Sequence, residues 1–236
     1  MTFKAVVFDA YGTLFDVYSI GALAEQLYPG QGSAISTLWR DKQIEYTRLI
    51  TLSDPNPNGG SKHYQSFWEL TQCALRYTLA RLKLNVSEAN TEANIKALMG
   101  QYAHLTPFAE NLDVLKQLKA SGIPTAILSN GSPDMLQSAT QSAGMTGLID
   151  HILSVDGIRL FKTAPQSYGL VFDVIDAKPE DILFVSSNAW DALGATWFGF
   201  TTLWVNRQGL PYEAIGPSPS FTSADLTGVL QAVGRQ

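Results

Sequence analysis

The sequence has little cysteine, little histidine and no long apolar stretch, and each scarcity argues against a class of protein. Among 236 residues there is one cysteine, Cys73, so no disulfide can form within the chain, and the reducing cytoplasm is the expected compartment. The three histidines are far apart and lack the spacing of zinc ligands. No apolar run is long enough to span a membrane, and the N-terminal residues lack the pattern of a signal peptide.

Basic residues are scarce as well. Lysine and arginine number 16 against 21 acidic residues, which gives a net charge of −5. A nucleic-acid-binding protein needs a basic face, so this balance argues against such a partner. A hydrophobic content of 45% indicates a globular protein, and the length allows one large domain or a domain with an insert. An acidic protein that binds an anion must concentrate its few cations locally.

Five short apolar runs have the character of buried parallel strands. They are Ala5–Phe8, Pro124–Leu128, His151–Val155, Ile182–Val185 and Thr201–Val205. Helical patterns lie between the later strands, at Asn111–Ala120, from Ser132 to Gly144 and from Asn188 to Gly199. This alternation predicts an α/β fold with an open, doubly wound, mostly parallel sheet of the Rossmann type.

The stretch between the first strand and Asn111 is too long for a simple crossover. It contains helical patterns near residues 19–28, 33–51, 64–82 and 87–102, and its segment Asp54–Gly60 is expected to be a loop. We therefore expect residues 16–105 to form a helical cap subdomain inserted into a core that is made of residues 1–15 and 106–236.

Polar side chains follow the predicted strands at the edge of the sheet where open α/β folds bind their ligands. They comprise carboxylates, one ammonium group and several hydrogen-bonding groups: Asp9, Ser129, Asn130, Lys162, Tyr168, Ser186, Asn188 and Asp191. This composition is typical of a catalytic site. Asp9 is the strongest candidate, because a carboxylate directly after a buried strand requires a specific reason.

Some residues at these strand ends also have an interpretation in which they serve the structure and not the function. Ser132 would cap the following helix whatever the protein does. Asn188 and Asp191 have the spacing of a capping box, and Ser186 and Ser187 could be hydroxyl groups that merely end a strand. The sequence leaves these alternatives open.

Four elements in order along the chain resemble the motifs of the haloacid dehalogenase superfamily: FDAYGTLFD, LSNGS, Lys162 and SSNAWD. The strings LWRDKQIEYT, AILSNGSP, HILSVD and ILFVSSNAWDA are similar to those of L-2-haloacid dehalogenases. The resemblance implies metal-independent and cofactor-free hydrolysis of short L-2-haloalkanoic acids to D-2-hydroxy acids, with inversion, through an ester on Asp9. It also implies a homodimer whose small-molecule partners are the haloacid and the halide ion.

The resemblance assigns a role to each candidate residue, with Asp9 as the nucleophile. The groups that orient the nucleophile and the hydrolytic water are Thr13, Lys162, Tyr168, Ser186, Asn188 and Asp191. The substrate carboxylate is held by Ser129 and the backbone N–H groups of Ala10 and Tyr11, and the halide by Arg40, Asn130 and the Trp190 ring. The residues that line the pocket are Tyr11, Ile44, Phe67, Lys162, Asn188 and Trp190.

The sequence departs from the dehalogenase pattern at three places. Asp41 follows Arg40 where glutamine is expected, Thr163 replaces the usual proline after Lys162, and the Asp54–Gly60 loop looks like an insertion. None of these changes removes a motif residue, but each bears on the range of substrates.

Two other functions compete with dehalogenation. A phosphatase of the same superfamily would need several carboxylates around Mg²⁺ and a second aspartate two residues after the nucleophile, where this chain has Tyr11. A catalytically silent protein that binds small anions would keep the fold without needing a nucleophile beside Lys162.

Overall fold

The computed structural model describes residues 3–54, 59–84 and 87–234, and in these residues six strands form one parallel sheet. The strands are β1 (Ala5–Phe8), β2 (Thr125–Ser129), β3 (His151–Ser154), β4 (Ile182–Ser186), β5 (Thr201–Val205) and β6 (Phe221–Ser223). Their order across the sheet is β3-β2-β1-β4-β5-β6. The predicted fold class, a mostly parallel Rossmann-type sheet, is confirmed.

The central strands are apolar throughout because both faces of the sheet are covered. Every residue of β1, β2 and β4 is buried, whereas β3 at the edge is partly exposed. β1 pairs with β2 on one side and with β4 on the other, so the strand order reverses between β1 and β4. A reversal of this kind opens a crevice at the carboxyl ends of the two strands. Asp9 and Ser186 lie at that crevice.

Helices connect the strands of the core. They are α5 (Asn111–Ala120), α6 (Pro133–Ser142), the short α7 (Pro165–Gly169), α8 (Ala189–Phe198) and α9 (Gly228–Gly234). In the sheet layer α6 packs on β3 and α8 packs on β4 and β5. The predicted helix Asn111–Ala120 has the predicted bounds, and the five predicted strands are confirmed to within one residue at each end. The sequence analysis missed β6 and α9.

Between β1 and α5 the described residues form four further α-helices. These are α1 (Ile20–Leu27), α2 (Gly32–Leu52), α3 (Phe67–Arg81) and α4 (Glu88–Ala103). The start of α3 is fixed by a capping box, in which Ser66 and Glu69 each bond the other's backbone N–H group. The division into a core and a cap subdomain at residues 16 and 105 stays a prediction. Of the predicted 54–60 loop, residues 55–58 lie outside the described residues.

The chain leaves the core and returns to it at a single place. The Asp16 N–H group donates to the Thr106 carbonyl at 2.9 Å, and Phe15 forms a β-bridge with Pro107. Nearby, the buried side chain of Asn111 donates from Nδ2 to the carbonyl of Leu14 at 2.9 Å. These contacts hold the segment in which the chain leaves the sheet, near Asp16, beside the segment in which it returns, near Thr106. We refer to these two segments as the crossings. No helix within the described ranges is long and apolar enough to cross a membrane.

Replacement of Asn111 by alanine tests this junction. The change leaves the backbone carbonyl group of Leu14 without its side-chain donor and takes one of two side-chain donors from that of Thr13, so we expect the free energy of unfolding to fall by about 1–3 kcal/mol. Urea denaturation measures the change. The control is Asn90→Ala on the exposed surface of α4, and an equal loss in both variants would contradict the assignment.

Candidate active site

The carboxylate of Asp9 lies at the end of β1 with only 6% of the residue exposed. Its Oδ2 atom accepts hydrogen bonds from Thr13 Oγ1 at 2.9 Å and from Asn188 Nδ2 at 2.8 Å, and Ser186 Oγ lies 3.5 Å away. Its Oδ1 atom lies 3.2 Å from the ammonium nitrogen of Lys162. Donors on both oxygens hold the carboxylate in one orientation.

A tight turn after β1 brings Thr13 back to Asp9. The N–H groups of Thr13 and Leu14 donate to the carbonyl of Ala10, and Gly12 has a φ of +95°, which a residue with a side chain rarely adopts. Thr13 Oγ1 also accepts from the Ser187 N–H group at 2.8 Å. One hydroxyl therefore links the ends of β1 and β4.

Lys162 is a buried cation between two carboxylates. Its Nζ atom lies 3.2 Å from Asp9 Oδ1 and 3.0 Å from Asp191 Oδ2, and the residue is 1% exposed. The backbone N–H group of Lys162 donates to Asn130 Oδ1 at 2.9 Å, and the peptide bond to Thr163 is cis. The ion pairs on both sides compensate the cost of burying the charge.

Asp191 is fully buried at the start of α8. Burial raises its pKa to about 6, an effect increased by the charge of Asp9 and opposed by the positive charge of Lys162. The hydroxyl of Tyr168 donates to Asp191 Oδ1 at 2.8 Å. Burial also raises the pKa of Tyr168 well above its usual value, so this hydroxyl stays protonated and remains a donor.

The structure decides between the alternatives at the helix starts. Asn188 precedes α8 but its side chain makes no capping bond; instead Nδ2 donates to Asp9 and to the Tyr11 carbonyl, at 2.8 and 3.1 Å. Ser132 likewise makes no capping bond with its side chain. Both residues thus occupy the predicted N-cap positions without the capping hydrogen bond, and the side chain of Asn188 contacts Asp9 instead. Ser186 Oγ accepts the Asn188 N–H group at 3.1 Å.

Arg40 reaches the core from α2. Its Nη2 atom donates to the carbonyl of Tyr11 at 3.0 Å and to Asn188 Oδ1 at 3.1 Å, while Nη1 donates to Gln43 Oε1 at 2.7 Å. The sequence analysis missed Gln43, which is buried and also donates to Thr71. Its position three residues after Arg40, on the same face of the helix, was the available signal.

The residues predicted to line a pocket fall into two groups. Ile44 and Trp190, together with Arg40 and Asn188, border an open cleft of about 780 Å³. The other predicted pocket-lining residues, Tyr11, Phe67 and Lys162, do not border this cleft, and neither do Ser129 and Asn130, which were predicted to bind the substrate carboxylate and the halide. The ring of Tyr11 instead packs against Phe67 and against Tyr102, with centroids 5.7 and 5.5 Å apart. Burial raises the pKa of Tyr11 well above its usual value, so its hydroxyl is neutral.

Ser129 is the last residue of β2 and Asn130 follows it, and each side chain keeps a group that can donate a hydrogen bond. Ser129 Oγ accepts the Gly131 N–H group at 3.1 Å, and a hydroxyl that accepts one bond still has a hydrogen to donate. Asn130 Oδ1 accepts from the backbone N–H group of Lys162, so the amide nitrogen of Asn130 is left to donate to an anion.

Across the described ranges, no cluster of three or more His, Cys, Asp or Glu side chains could hold a metal ion.

Comparison with known proteins identifies the family of the chain. A family model described as haloacid dehalogenase-like hydrolase matches residues 3–199. The (S)-2-haloacid dehalogenase H-109 of Pseudomonas putida is 42% identical over 223 residues, which cover 94% of each chain.

Two crystal structures are similar along almost the whole chain. One is of an L-2-haloacid dehalogenase that is 52% identical, with coverage of 99% of this chain and 100% of that one and a TM-score of 0.92. The other is the L-2-haloacid dehalogenase of Xanthobacter autotrophicus with chloropropionic acid covalently bound, 37% identical, covering 99% of both chains, with a TM-score of 0.84. Sequence and fold thus agree over the same span, and the chain belongs to the haloacid dehalogenase-like hydrolases, in the group of the L-2-haloacid dehalogenases.

Proposed function

We propose that this protein hydrolyses short L-2-haloalkanoic acids to D-2-hydroxy acids through an ester on Asp9. The observation that carries the proposal is the Asp9 carboxylate, which is buried, oriented by Thr13 and Asn188, and paired with Lys162. The covalently bound chloropropionic acid in the Xanthobacter enzyme supports a covalent route. The (S)-2-haloacid dehalogenase of Pseudomonas putida supports the substrate class and its handedness.

In the first step an oxygen of Asp9 attacks the carbon that bears the halogen from the side opposite the halogen. The carbon–oxygen bond forms as the carbon–halogen bond breaks, and the halide leaves with the bonding electron pair. Arg40, the amide nitrogen of Asn130 and the edge of the Trp190 ring receive this anion. A single back-side displacement inverts the carbon, which converts an L-haloacid into a D-hydroxy acid.

The substrate and the nucleophile are both anions, and their repulsion must be overcome. Two unit charges about 4 Å apart repel by roughly 4 kcal/mol at an effective dielectric constant near 20. Lys162 lies 3.2 Å from Asp9, and Arg40 reaches the same strand end from α2, so two of the chain's 16 basic residues offset this repulsion. Ser129 and the backbone N–H groups of Ala10 and Tyr11 hold the substrate carboxylate.

In the second step water attacks the ester carbonyl carbon of Asp9. Asp191 takes one proton of the water, and the bond between the acyl carbon of Asp9 and the oxygen of the substrate breaks. The leaving alkoxide takes the proton back from Asp191 to become the hydroxyl of the product, and the carboxylate of Asp9 is regenerated with loss of one proton to solvent. The ammonium group of Lys162 donates to both carboxylates, so in this proposal it orients them and Asp191 removes the proton. The raised pKa of Asp191 makes it a better base than an ordinary aspartate.

The phosphatase alternative is less well supported. The position of its acid–base aspartate holds Tyr11, which is packed between aromatic rings and neutral. The two carboxylates of the site are bridged by the ammonium group of Lys162 where a divalent cation would need oxygen ligands. The silent-binder alternative leaves the buried nucleophile and its donors without a purpose.

The assembly and location of the protein belong to the same proposal. We infer a homodimer in the cytoplasm, with a haloacid and a halide ion as small-molecule partners. The resemblance to dehalogenases supports the dimer, and the single cysteine supports a reducing compartment. Sedimentation analysis of the purified chain measures the first of these directly.

Replacement of Asp9 by asparagine tests the nucleophile. The amide cannot form the ester, so we expect halide release from L-2-chloropropionate to fall by roughly three orders of magnitude or more. Asp134→Asn, which removes an exposed carboxylate on α6, is the control and should release halide at the wild-type rate. In a single turnover in H₂¹⁸O with excess wild-type enzyme, the label should enter Asp9. Label in the product instead would rule out the ester.

The pH dependence of ester hydrolysis tests Asp191. Lys162, Asp9 and Tyr168 face this carboxyl, and its pKa is about 6 while Asp9 is a free carboxylate. The ester on Asp9 removes one charge that raises the pKa, so the acid limb of ester decay should lie below pH 6, with the rate falling about tenfold per pH unit as Asp191 is protonated. Tyr168→Phe removes a hydrogen bond that lowers the pKa of Asp191, so the limb should move to higher pH in this variant. Rapid-quench measurement of ester decay gives the profile, and an acid limb that stays in place in Tyr168→Phe would contradict the assignment.

Chelation separates dehalogenase from phosphatase chemistry. Because the proposed steps use only side chains, halide release should be unchanged after incubation with EDTA, and p-nitrophenyl phosphate should not be hydrolysed with added Mg²⁺. The measurement is halide release and nitrophenol release on the same preparation. Activity lost with EDTA and restored by Mg²⁺ would favour the phosphatase.

A further inference from the structure

The segment between α2 and α3, residues 59–66, packs on the core loop that leads to Lys162, residues 155–162. We refer to them as the linker segment and the lysine loop. The Ser61 N–H group donates to the Arg159 carbonyl at 3.1 Å, and the Phe161 N–H group donates to Thr51 Oγ1, at the end of α2, at 3.0 Å. The hydroxyl of Tyr64 donates to Asp156 Oδ1 at 2.6 Å.

Aromatic packing reinforces these hydrogen bonds. The ring of Tyr64 is stacked on that of Phe161, with centroids 5.2 Å apart and planes 24° from parallel. The guanidinium group of Arg159 lies 5.9 Å from the centre of the Tyr64 ring. Phe161 is fully buried and immediately precedes Lys162, so its position constrains the backbone of the lysine.

The two backbones approach each other closely at Gly60. This residue has a φ of +82°, and a side chain there would meet the carbonyl oxygen of Ile158 at 2.5 Å. The approach therefore depends on glycine. Burial and the Asp156 carboxylate raise the pKa of Tyr64, so its hydroxyl stays protonated and the bond to Asp156 persists.

We propose that Tyr64 is a positioning residue for the reaction proposed above: it fixes the lysine loop so that the Lys162 ammonium stays between Asp9 and Asp191. The side chain of lysine is long and flexible, and its ammonium group is a point charge with no preferred geometry. The position of the Lys162 ammonium group is therefore set by the position of the Lys162 backbone and by the residues that pack around its aliphatic side chain. The linker segment supplies part of that backbone support from outside the core.

In the competing role, Tyr64 only holds the helices α1–α4 in place and does not position Lys162. The two roles differ in which kinetic constant they change. Arg40, Ile44 and Phe67 lie on those helices and are proposed to contact the substrate, so loosening them should raise KM. Lys162 contacts the nucleophile and Asp191, so its displacement should lower kcat.

The test is Tyr64→Phe, which removes the hydroxyl and keeps the ring that stacks on Phe161. We expect kcat for L-2-chloropropionate to fall about tenfold, with KM changed by about twofold at most. Asp156→Asn keeps an acceptor oxygen and should retain most of the activity, whereas Asp156→Ala should reproduce the loss. The matched control is Tyr46→Phe on α2, whose ring contacts Tyr77 and Lys42. A raised KM with unchanged kcat, or no change in either, would overturn the proposal.

A second measurement is independent of the reaction. Amide hydrogen exchange of peptides covering residues 156–162 should be faster in Tyr64→Phe than in the wild type or Tyr46→Phe. If the wild type releases no halide from any haloacid, the proposed function fails, and the exchange data still decide whether Tyr64 holds the lysine loop. Equal exchange in all three proteins would show that it does not.

Discussion

The site depends on one buried charge arrangement, the ammonium group of Lys162 between the carboxylates of Asp9 and Asp191. Burying two negative charges in this crevice would be costly without the cation, and burying the cation would be costly without the two anions. The three side chains come from the end of β1, the end of the lysine loop and the start of α8. The sheet therefore has to be complete before the charges can compensate each other.

The helices inserted after β1 complete the site rather than create it. Arg40 extends from α2 to the Tyr11 carbonyl and to Asn188, and Asn188 bonds Asp9 in turn. The guanidinium group of Arg40 and the carboxylate of Asp9 thus bond to the same amide side chain. The position of the arginine and the orientation of the carboxylate are linked through Asn188.

The sequence was informative wherever the position of a residue follows from the sheet. Asp9 and Lys162 come together because parallel strands end at one edge, and the apolar runs reveal those strands. Residues on the inserted helices and their connections were harder to place, because helical periodicity gives a face but not the neighbour of that face. Gln43 and Tyr64 were missed for this reason. Strand β6 was missed because it is three residues long and only partly buried.

The paired crossings at Asp16 and Thr106 have a consequence for how such a protein changes over time. The two crossings are adjacent, so an insert of another length or shape could be joined to the sheet at the same place. Such an insert would also have to replace the contacts that the present one makes with the lysine loop and with Asn188, if Asp9, Lys162 and Asp191 are to stay in register. New substrates would then be acquired by exchanging what covers the crevice, while the reactive groups stay as they are.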